Sequence, residues 1–487
     1  MFKTKPFKHQ LKEHEFSRDL PARCLWWEMG TGKTKVVLDA AAHLFLRGEI
    51  GGLLIIAPNG VHQNWTADEI PKHLSDEVRA RCFLWETKKK GTKHFQKAFD
   101  QFMIADDGLA VLALSYHAIM TKAGAKAAKK FLTSRSCLYV ADESTCFKTP
   151  NAKTTKRVLA SAKYAPYRRV LNGTPVADSP FDAYTQVRFA DPTAWARAFG
   201  IGSFSEFKTF FGVWKQEQKG KTKFPLFIEY RNLDLMHQVM DEVGSRLLKD
   251  DVLDLPSRLY SKVYFDLSSE QRWAYDELFE EFQTWLDGDT VTAELAIVRM
   301  TRLQQVASGY VPVDDDAVKR PSDREPPRMI GTDRPRIQAL VELLKRVPRQ
   351  AIIWAKYSLD VDMIAEAIRA SGWSYGVYDG RTPPDERLSI RRAFQAGDIK
   401  FFISKPTCAG LGLNLTAADT VIYCNNLFSL DKRLQSEARP HRIGQLRAVH
   451  YIDLIASNTI DGYILKKLRG KKRVAAVVTG DQLEEWV

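Results

Sequence analysis

Short β-like runs alternate with longer helical patterns in two separate blocks of this chain. That rhythm constrains the fold more than any other feature, because strand–helix alternation generates parallel sheets covered by helices. The first block contains CLWW (24 to 27), LLIIA (53 to 57), AVLAL (110 to 114), CLYVAD (137 to 142) and RRVL (168 to 171). The second contains AIIW (351 to 354), YGVY (375 to 378), KFFIS (400 to 404), TVIYC (420 to 424) and HYIDLI (450 to 455). The expected fold class is α/β, with two parallel-sheet lobes. At about 150 residues per domain the length leaves room for roughly three structural units. Residues 181 to 335 lose the rhythm and read as amphipathic helical insertions with large aromatics, as in SFSEFKTFFGVW and SSEQRWAYDELFEEFQTWL. The stretch from Asp314 to Pro335 is polar and carries Pro321, Pro326, Pro327 and Pro335, so it reads as an exposed loop.

Charge then narrows the partners. The chain has 72 Lys+Arg against 59 Asp+Glu, a formal net charge of +13, which favours a polyanion and nominates nucleic acid, with an anionic membrane surface or plain solubility fitting nearly as well. The six cysteines lie far apart with no CxxC pair, so neither structural zinc nor a disulfide framework is expected and a reducing cytosol fits. The amino-terminal MFKTKPFKHQLKEHEF lacks the apolar stretch of a secretory signal. No apolar run approaches the ~18 residues that span a bilayer, so no membrane partner is expected.

The sharpest local signal is WEMGTGKT, Trp27 to Thr34, between an apolar strand and a helix whose inward face can carry Val37, Ala41 and Leu44. In that setting Gly30 and Gly32 let the backbone turn its N–H groups, including that of Thr31, onto phosphates. Lys33 supplies a point charge and Thr34 a ligand for Mg²⁺. Such a loop needs a carboxylate pair at a neighbouring strand end. CLYVADES supplies Asp142 to hold the metal through water and Glu143 to take the proton of the attacking water. Alone, an Asp-Glu pair after a strand reads more simply as a solvated strand end or helix cap. In the second block QSEARPHRIGQ spaces Arg439 and Arg442 so that a helix would put both guanidiniums on one face, suited to γ-phosphate oxygens.

Taken in order, these motifs resemble the Swi/Snf-like DNA translocases of helicase superfamily two across almost the whole chain. FKHQ (7 to 10) resembles the adenine-recognising Q motif, with Gln10 reading the base edge and Phe7 packing on the ring. IIAPNGVHQNW (55 to 65), LSYHAI (114 to 119) and VLNGTPVADSP (170 to 180) resemble motifs Ia, Ib and III. LLKDDVLDLPSRLYSKVYFDLSSEQRWAYDEL resembles the inter-lobe linker and second protrusion, and YDGRTPPDERLSIRRAF resembles motif IVa. SKPTCAGLGLNLTAADTVIY resembles motif V and ARPHRIGQ, with Gln435 upstream, resembles motif VI. Two departures stand out. Motif II reads DEST where the family usually has DE, a small residue and His, so Thr145 replaces a side chain that couples hydrolysis to DNA contact. Ala409 occupies a motif V position commonly Gly.

The resemblance implies two RecA-like lobes. Lobe 1 would run from 1 to 180, its protrusion and linker from 181 to 254, the start of lobe 2 with protrusion 2 from 255 to 335, and the rest of lobe 2 from 336 to 487. It implies ATP and Mg²⁺ as cofactors, with Gly412 and Gln435 joining the nucleotide site. ATP would lie between Lys33, Thr34, Asp142 and Glu143 on one side and Arg439 and Arg442 on the other. The expected track is double-stranded DNA, contacted near Pro58, Asn59, Gly60, Ser115, Gly173, Thr174, Ser404, Lys405 and Thr416. Backbone amides and small hydroxyls there suit phosphate contact without sequence reading. The basic runs KKKGTK and KKLRGKKR would extend that footprint. The activity implied is an ATP-dependent translocase that displaces DNA-bound protein, in a bacterial or viral setting and a cytoplasmic, nucleoid-associated or host-cytoplasmic location. The rival readings are a strand-separating helicase on single-stranded DNA or RNA, and a DNA-binding scaffold with a vestigial ATPase.

Overall fold

A computed structural model describes residues 2–219, 222–288, 293–311, 326–409 and 413–482. The chain divides into two compact units, one of residues 1–217, 224–254 and 471–483, the other of residues 218–223, 255–470 and 484–487.

The first unit is built on a seven-stranded sheet. Its strands are β1 (Ala22–Trp27), β2 (Gly52–Ala57), β3 (Ala80–Leu84), β4 (Leu109–Ser115), β5 (Cys137–Asp142) and β6 (Tyr167–Leu171). A hairpin of β7 (Gly212–Lys219) and β8 (Thr222–Tyr230) follows, and β9 (Gly244–Leu247) returns to the sheet. The order is β3-β4-β2-β5-β6-β1-β9, and every pairing in it is parallel. Strands β2, β4 and β5 are buried along their whole length, which is why their sequences are unbroken apolar runs rather than alternating ones. Alternate side chains feed opposite faces: Leu54 and Ile56 enter one core with Trp26, Leu112 and Tyr139, while Leu53 and Ile55 enter the other with Val37, Ala41 and Leu138. Each such aliphatic side chain, fully removed from water, contributes about 1.5–3 kcal/mol.

The second unit carries β10 (Arg258–Phe265), a short antiparallel pair β11 (Tyr310–Val311) and β12 (Arg328–Met329), then β13 (Ala351–Trp354), β14 (Tyr375–Tyr378), β15 (Phe401–Ser404), β16 (Thr420–Tyr423) and β17 (Val449–Ala456). Its six-stranded sheet runs β10-β17-β16-β13-β15-β14, again parallel throughout. The α/β class with two parallel sheets is therefore as expected.

The middle of the chain is less helical than its sequence suggests. Within SFSEFKTFFGVW the helix Phe204–Phe211 ends and Gly212 opens a hairpin. Strand β9 extends the first sheet beside β1, and β10 extends the second beside β17. Strands β3, β9 and β10 are flanking strands whose residues are only partly buried, so they lack the long apolar runs that mark central strands. Much of the Asp314 to Pro335 loop lies outside the described residues; within it, Arg328–Met329 pairs with Tyr310–Val311, and a helix starts at Pro335.

Candidate nucleotide site

In an all-parallel sheet, ligand-binding loops gather at the carboxyl ends of the strands. In the first unit three neighbouring strands, β5, β6 and β1, end in the Asp142–Glu143 pair, the Asn172–Thr174 loop and the glycine-bearing loop before Lys33.

Gly30 and Gly32 both have positive φ, 90° and 85°, a conformation nearly closed to side chains with a Cβ. Gly32 is also the N-cap of the helix Lys33–Leu46, so the loop delivers its amides to a helix N-terminus, where backbone donors and the dipole favour an anion. The Lys33 ammonium donates to the carbonyls of Trp27 (2.8 Å) and Glu28 (3.3 Å). Burial lowers its pKa, and the charges of Glu143, Asp142 and Glu28 oppose that shift. The loop is braced by Thr31 Oγ1, which donates to the Glu28 carbonyl at 2.8 Å, and by Trp27 Nε1, which donates to Ser245 on β9 at 2.9 Å.

The amino-terminal helix Lys8–Ser17 packs against the helix Lys33–Leu46 and reaches this loop through His9 and Gln10. Gln10 is buried; its Oε1 accepts the Phe7 amide at 2.9 Å and its Nε2 donates to the Thr31 carbonyl at 3.2 Å. The side chain expected to read a base therefore grips the phosphate loop itself. His9, which the sequence reading missed, stacks on Phe7 with ring centroids 5.8 Å apart and meets the Thr31 carbonyl through Nε2 at 2.9 Å. Half of Phe7 is exposed, at 51%, as an apolar platform beside the loop.

At the end of β5 Asp142 is fixed from two directions. Its Oδ2 accepts Trp65 Nε1 at 2.9 Å and its Oδ1 accepts the Glu143 amide at 3.0 Å, while Tyr116 donates its hydroxyl to the Asp142 carbonyl at 2.8 Å. Burial raises the Asp142 pKa, against the Trp65 hydrogen bond and the Lys33 charge. Trp65 opens a one-turn π-helix, Trp65–Glu69, a distortion frequent at functional sites. Glu143 sits at φ 51°, ψ 60°, left-handed backbone that costs a non-glycine residue of order 1 kcal/mol or more and clusters at active sites. A hydroxyl at Thr34 and a carboxylate at Asp142 are hard oxygen donors and fit Mg²⁺, which takes one or two carboxylates and keeps several waters. Among the described residues no group of three or more His, Cys, Asp or Glu side chains gathers as a metal cluster.

Between the two loops lies a polar lattice that carried no local sequence signal. Ser144, Asn172 and Gln186 are completely buried. Asn172 Nδ2 donates to Ser144 Oγ (2.9 Å) and Gln186 Oε1 (2.7 Å), and Ser144 donates its hydroxyl to Gln186 Oε1. Gln186 Nε2 donates to the carbonyls of Pro175 (2.7 Å) and Asp182 (2.8 Å), and Asn172 Oδ1 accepts the Thr174 amide at 3.0 Å. Lys148 adds an ionic link to Asp178 (2.6 Å) and Asp182 (3.2 Å); burial works against its charge, but the two carboxylates raise its pKa. Gly173 has little room: a Cβ there would stand 3.1 Å from Met29 Cγ. Its carbonyl accepts Arg246 at 3.1 Å, an arginine also held by Asp481 through two hydrogen bonds.

In the second unit the helix Leu430–Glu437 ends before either arginine of motif VI. Arg439 and Arg442 thus do not share a helix face, because Pro440 lies between them and removes an amide the helix would need. They converge through a turn instead: both donate to the Leu413 carbonyl, at 3.4 and 3.1 Å. Arg439 also donates to the Gln435 carbonyl at 2.9 Å. Gln435 is buried between Lys432 and Asp431. Gly412 lies outside the described residues. The helix is anchored by Arg433, which is buried, ion-paired to Asp453 and Glu437, and stacked 3.5 Å from the centre of the Tyr423 ring.

The residues expected to touch a track separate into two groups. Asn59 and Gly60 are exposed, and Lys405 and Thr416 are partly so; Lys405 donates to Ser358 at 2.6 Å and Thr416 accepts from Gln395 at 3.3 Å. Pro58, Ser115, Gly173, Thr174 and Ser404 are buried. Ser115 Oγ accepts the Ala118 amide and Ser404 donates to the Tyr378 carbonyl. Those two hydroxyls hold strand ends in place, because a buried hydroxyl must find its partner inside the protein.

The chain can now be set beside known proteins. Residues 20–308 match the SNF2-related domain and residues 335–444 match the helicase conserved C-terminal domain. It is 23% identical to the zebrafish (Danio rerio) Chromodomain-helicase-DNA-binding protein 1-like, over 93% of this chain and 41% of that protein. It is 24% identical to the mouse SWI/SNF-related matrix-associated actin-dependent regulator of chromatin subfamily A member 1, over 93% and 41%. It is 26% identical to the Saccharomyces cerevisiae Transcription regulatory protein SNF2, over 90% and 25%. The chain thus spans less than half the length of these relatives. With more than half of its residues matched by one domain, this chain belongs to the SNF2-related domain family.

Proposed function

We propose that this protein is a DNA-stimulated ATP hydrolase that translocates on double-stranded DNA and displaces protein bound to it. The observation that carries the reading is the gathering of Lys33, which opens the helix after β1, with Asp142 and Glu143 at the end of β5, the two strands that flank β6, close enough for the two carboxylates to act on the lysine's protonation. In this reading the amides of the Gly30–Gly32 loop and the Lys33 ammonium bind the phosphates of ATP. Thr34 and Asp142 would hold Mg²⁺, which would supply neutralisation of charge on the phosphoryl oxygens. Glu143 accepts the proton of the attacking water. Arg439 and Arg442 donate to the γ-phosphate as its charge builds. The relatives' printed names, which speak of chromatin regulation and DNA binding, support DNA as the track, as does the net charge of +13.

The test is the ATPase rate with duplex DNA, single-stranded DNA and RNA over a series of salt concentrations. Duplex DNA is expected to stimulate most. The logarithm of the apparent affinity should fall linearly with the logarithm of salt, at a slope of about −0.9 per phosphate neutralised. Equal or greater stimulation by a single strand would overturn the choice of track. Glu143→Gln is expected to lower kcat by about 10²–10⁴, the range of a general base, with ATP binding retained. Unchanged turnover in that variant would remove Glu143 from the mechanism.

A further inference from the structure

In the resembling family the residue two positions after the motif II glutamate is a histidine that couples hydrolysis to DNA contact; here it is Thr145, half-buried. The connection between motifs II and III runs instead through the adjacent position. Ser144 directly follows Glu143, Asn172 directly precedes Gly173, and Gln186 reaches both from the helix Ala183–Ala190. Each of the three side chains has its donors engaged: the Ser144 hydroxyl on Gln186, the Asn172 amide on Ser144 and Gln186, and the Gln186 amide on the Pro175 and Asp182 carbonyls. A closed, fully buried lattice of this kind does not yield at one corner alone, because a displaced member strands its neighbours' donors in the core. Gln186 is one of two fully buried polar side chains on its helix, among Tyr184, Val187 and Phe189; the other, Thr185, bonds the Phe147 carbonyl, so Gln186 alone of the two joins Ser144 and Asn172. Packing by itself would be met by an apolar side chain there.

We propose that Gln186 is a positioning residue that transmits the state of the Gly173–Thr174 loop to Glu143 through Asn172 and Ser144, in place of the usual motif II histidine. The inference rests on the reading of the chain as a DNA-stimulated ATPase. Movement of the Asn172–Pro175 segment pulls on Gln186 from two sides, and Gln186 in turn moves the Ser144 hydroxyl. The peptide of Ser144 is that of Glu143, whose left-handed backbone holds only while its surroundings impose it.

The experiment measures kcat and KM for ATP in the full chain, with and without saturating duplex DNA, for wild type, Gln186→Met and Ser144→Ala. Gln186→Met is expected to keep DNA-free kcat and KM close to wild type and to lose about tenfold in the DNA stimulation factor, a middling coupling between sites. Ser144→Ala cuts only the branch to motif II and leaves the Asn172–Gln186 bond. It is expected to show the same selective loss and carries the test if Gln186→Met melts at the assay temperature. A parallel fall in DNA-free and DNA-stimulated kcat would mark Gln186 as structural only and overturn the inference, as would unchanged stimulation in Ser144→Ala. If wild type itself is not stimulated, the functional reading falls and the inference with it; stimulated wild type beside equally stimulated variants sinks the inference alone.

Discussion

At the scale of single residues, the phosphate loop shows how two independent constraints meet on one glycine. Gly32 needs φ +85°, and a Cβ on it would lie 2.0 Å from Gln10 Nε2. Gly32→Ala is therefore expected to weaken ATP binding by about tenfold or more, since each 1.4 kcal/mol is a factor of ten and left-handed backbone alone costs a Cβ-bearing residue about that much. Adding Gln10→Ala removes the collision but not the backbone cost, so the double variant should recover only part of the loss in a nucleotide-binding titration. The glycines and Lys33 could be read from spacing because the loop is contiguous. The grip of Gln10 on the Thr31 carbonyl could not, since it joins residues brought together only by the docking of a helix.

Among elements, the amino-terminal helix is held by contacts that acid opposes. His14 packs near His43, Arg18 and Lys35; burial, with those charges adding to it against Asp19, pulls its pKa down to about 4. His73 meets Thr4 Oγ1 at 2.7 Å and is likewise lowered to about 4, by burial and then by Lys72 and Lys35. Unfolded, both rings titrate near pH ~6.5. As pH drops from there toward about 4 the unfolded chain binds protons that the native fold refuses, so stability falls with pH through that window and is indifferent to these groups above it. The midpoint of thermal unfolding is expected to drop across that interval, with amide exchange rising first in residues 2–17. His14→Gln with His73→Gln should flatten the slope. The FKHQ motif was visible in the sequence, whereas the helix that carries it and its acid sensitivity depend on the fold, the latter on which cations pack around two rings.

On the scale of the molecule, the residues proposed for the chemistry are divided between units: Lys33, Asp142 and Glu143 belong to one, Arg439 and Arg442 to the other. If the phosphates are bound by the first and the transition state is completed by the second, Arg442→Ala should lower kcat by about 10³, the low end of an arginine finger's effect. ATP affinity should change only a few-fold, as read by equilibrium binding beside steady-state turnover. Loss of binding in step with turnover would instead place Arg442 in ground-state recognition. From the sequence by itself came the two parallel sheets, the glycine loop with its lysine, and the carboxylate pair, because unbroken apolar strands and short motifs are patterns that neighbouring residues write together. Only the tertiary structure decided that β9 lies beside β1, that β10 lies beside β17, that a proline-broken turn aims Arg439 and Arg442 at one carbonyl, and that Gln186 closes a lattice with Ser144 and Asn172. Each of those facts joins segments distant along the chain. Their partners are chosen by what the folded core leaves unsatisfied, and no local period records that choice.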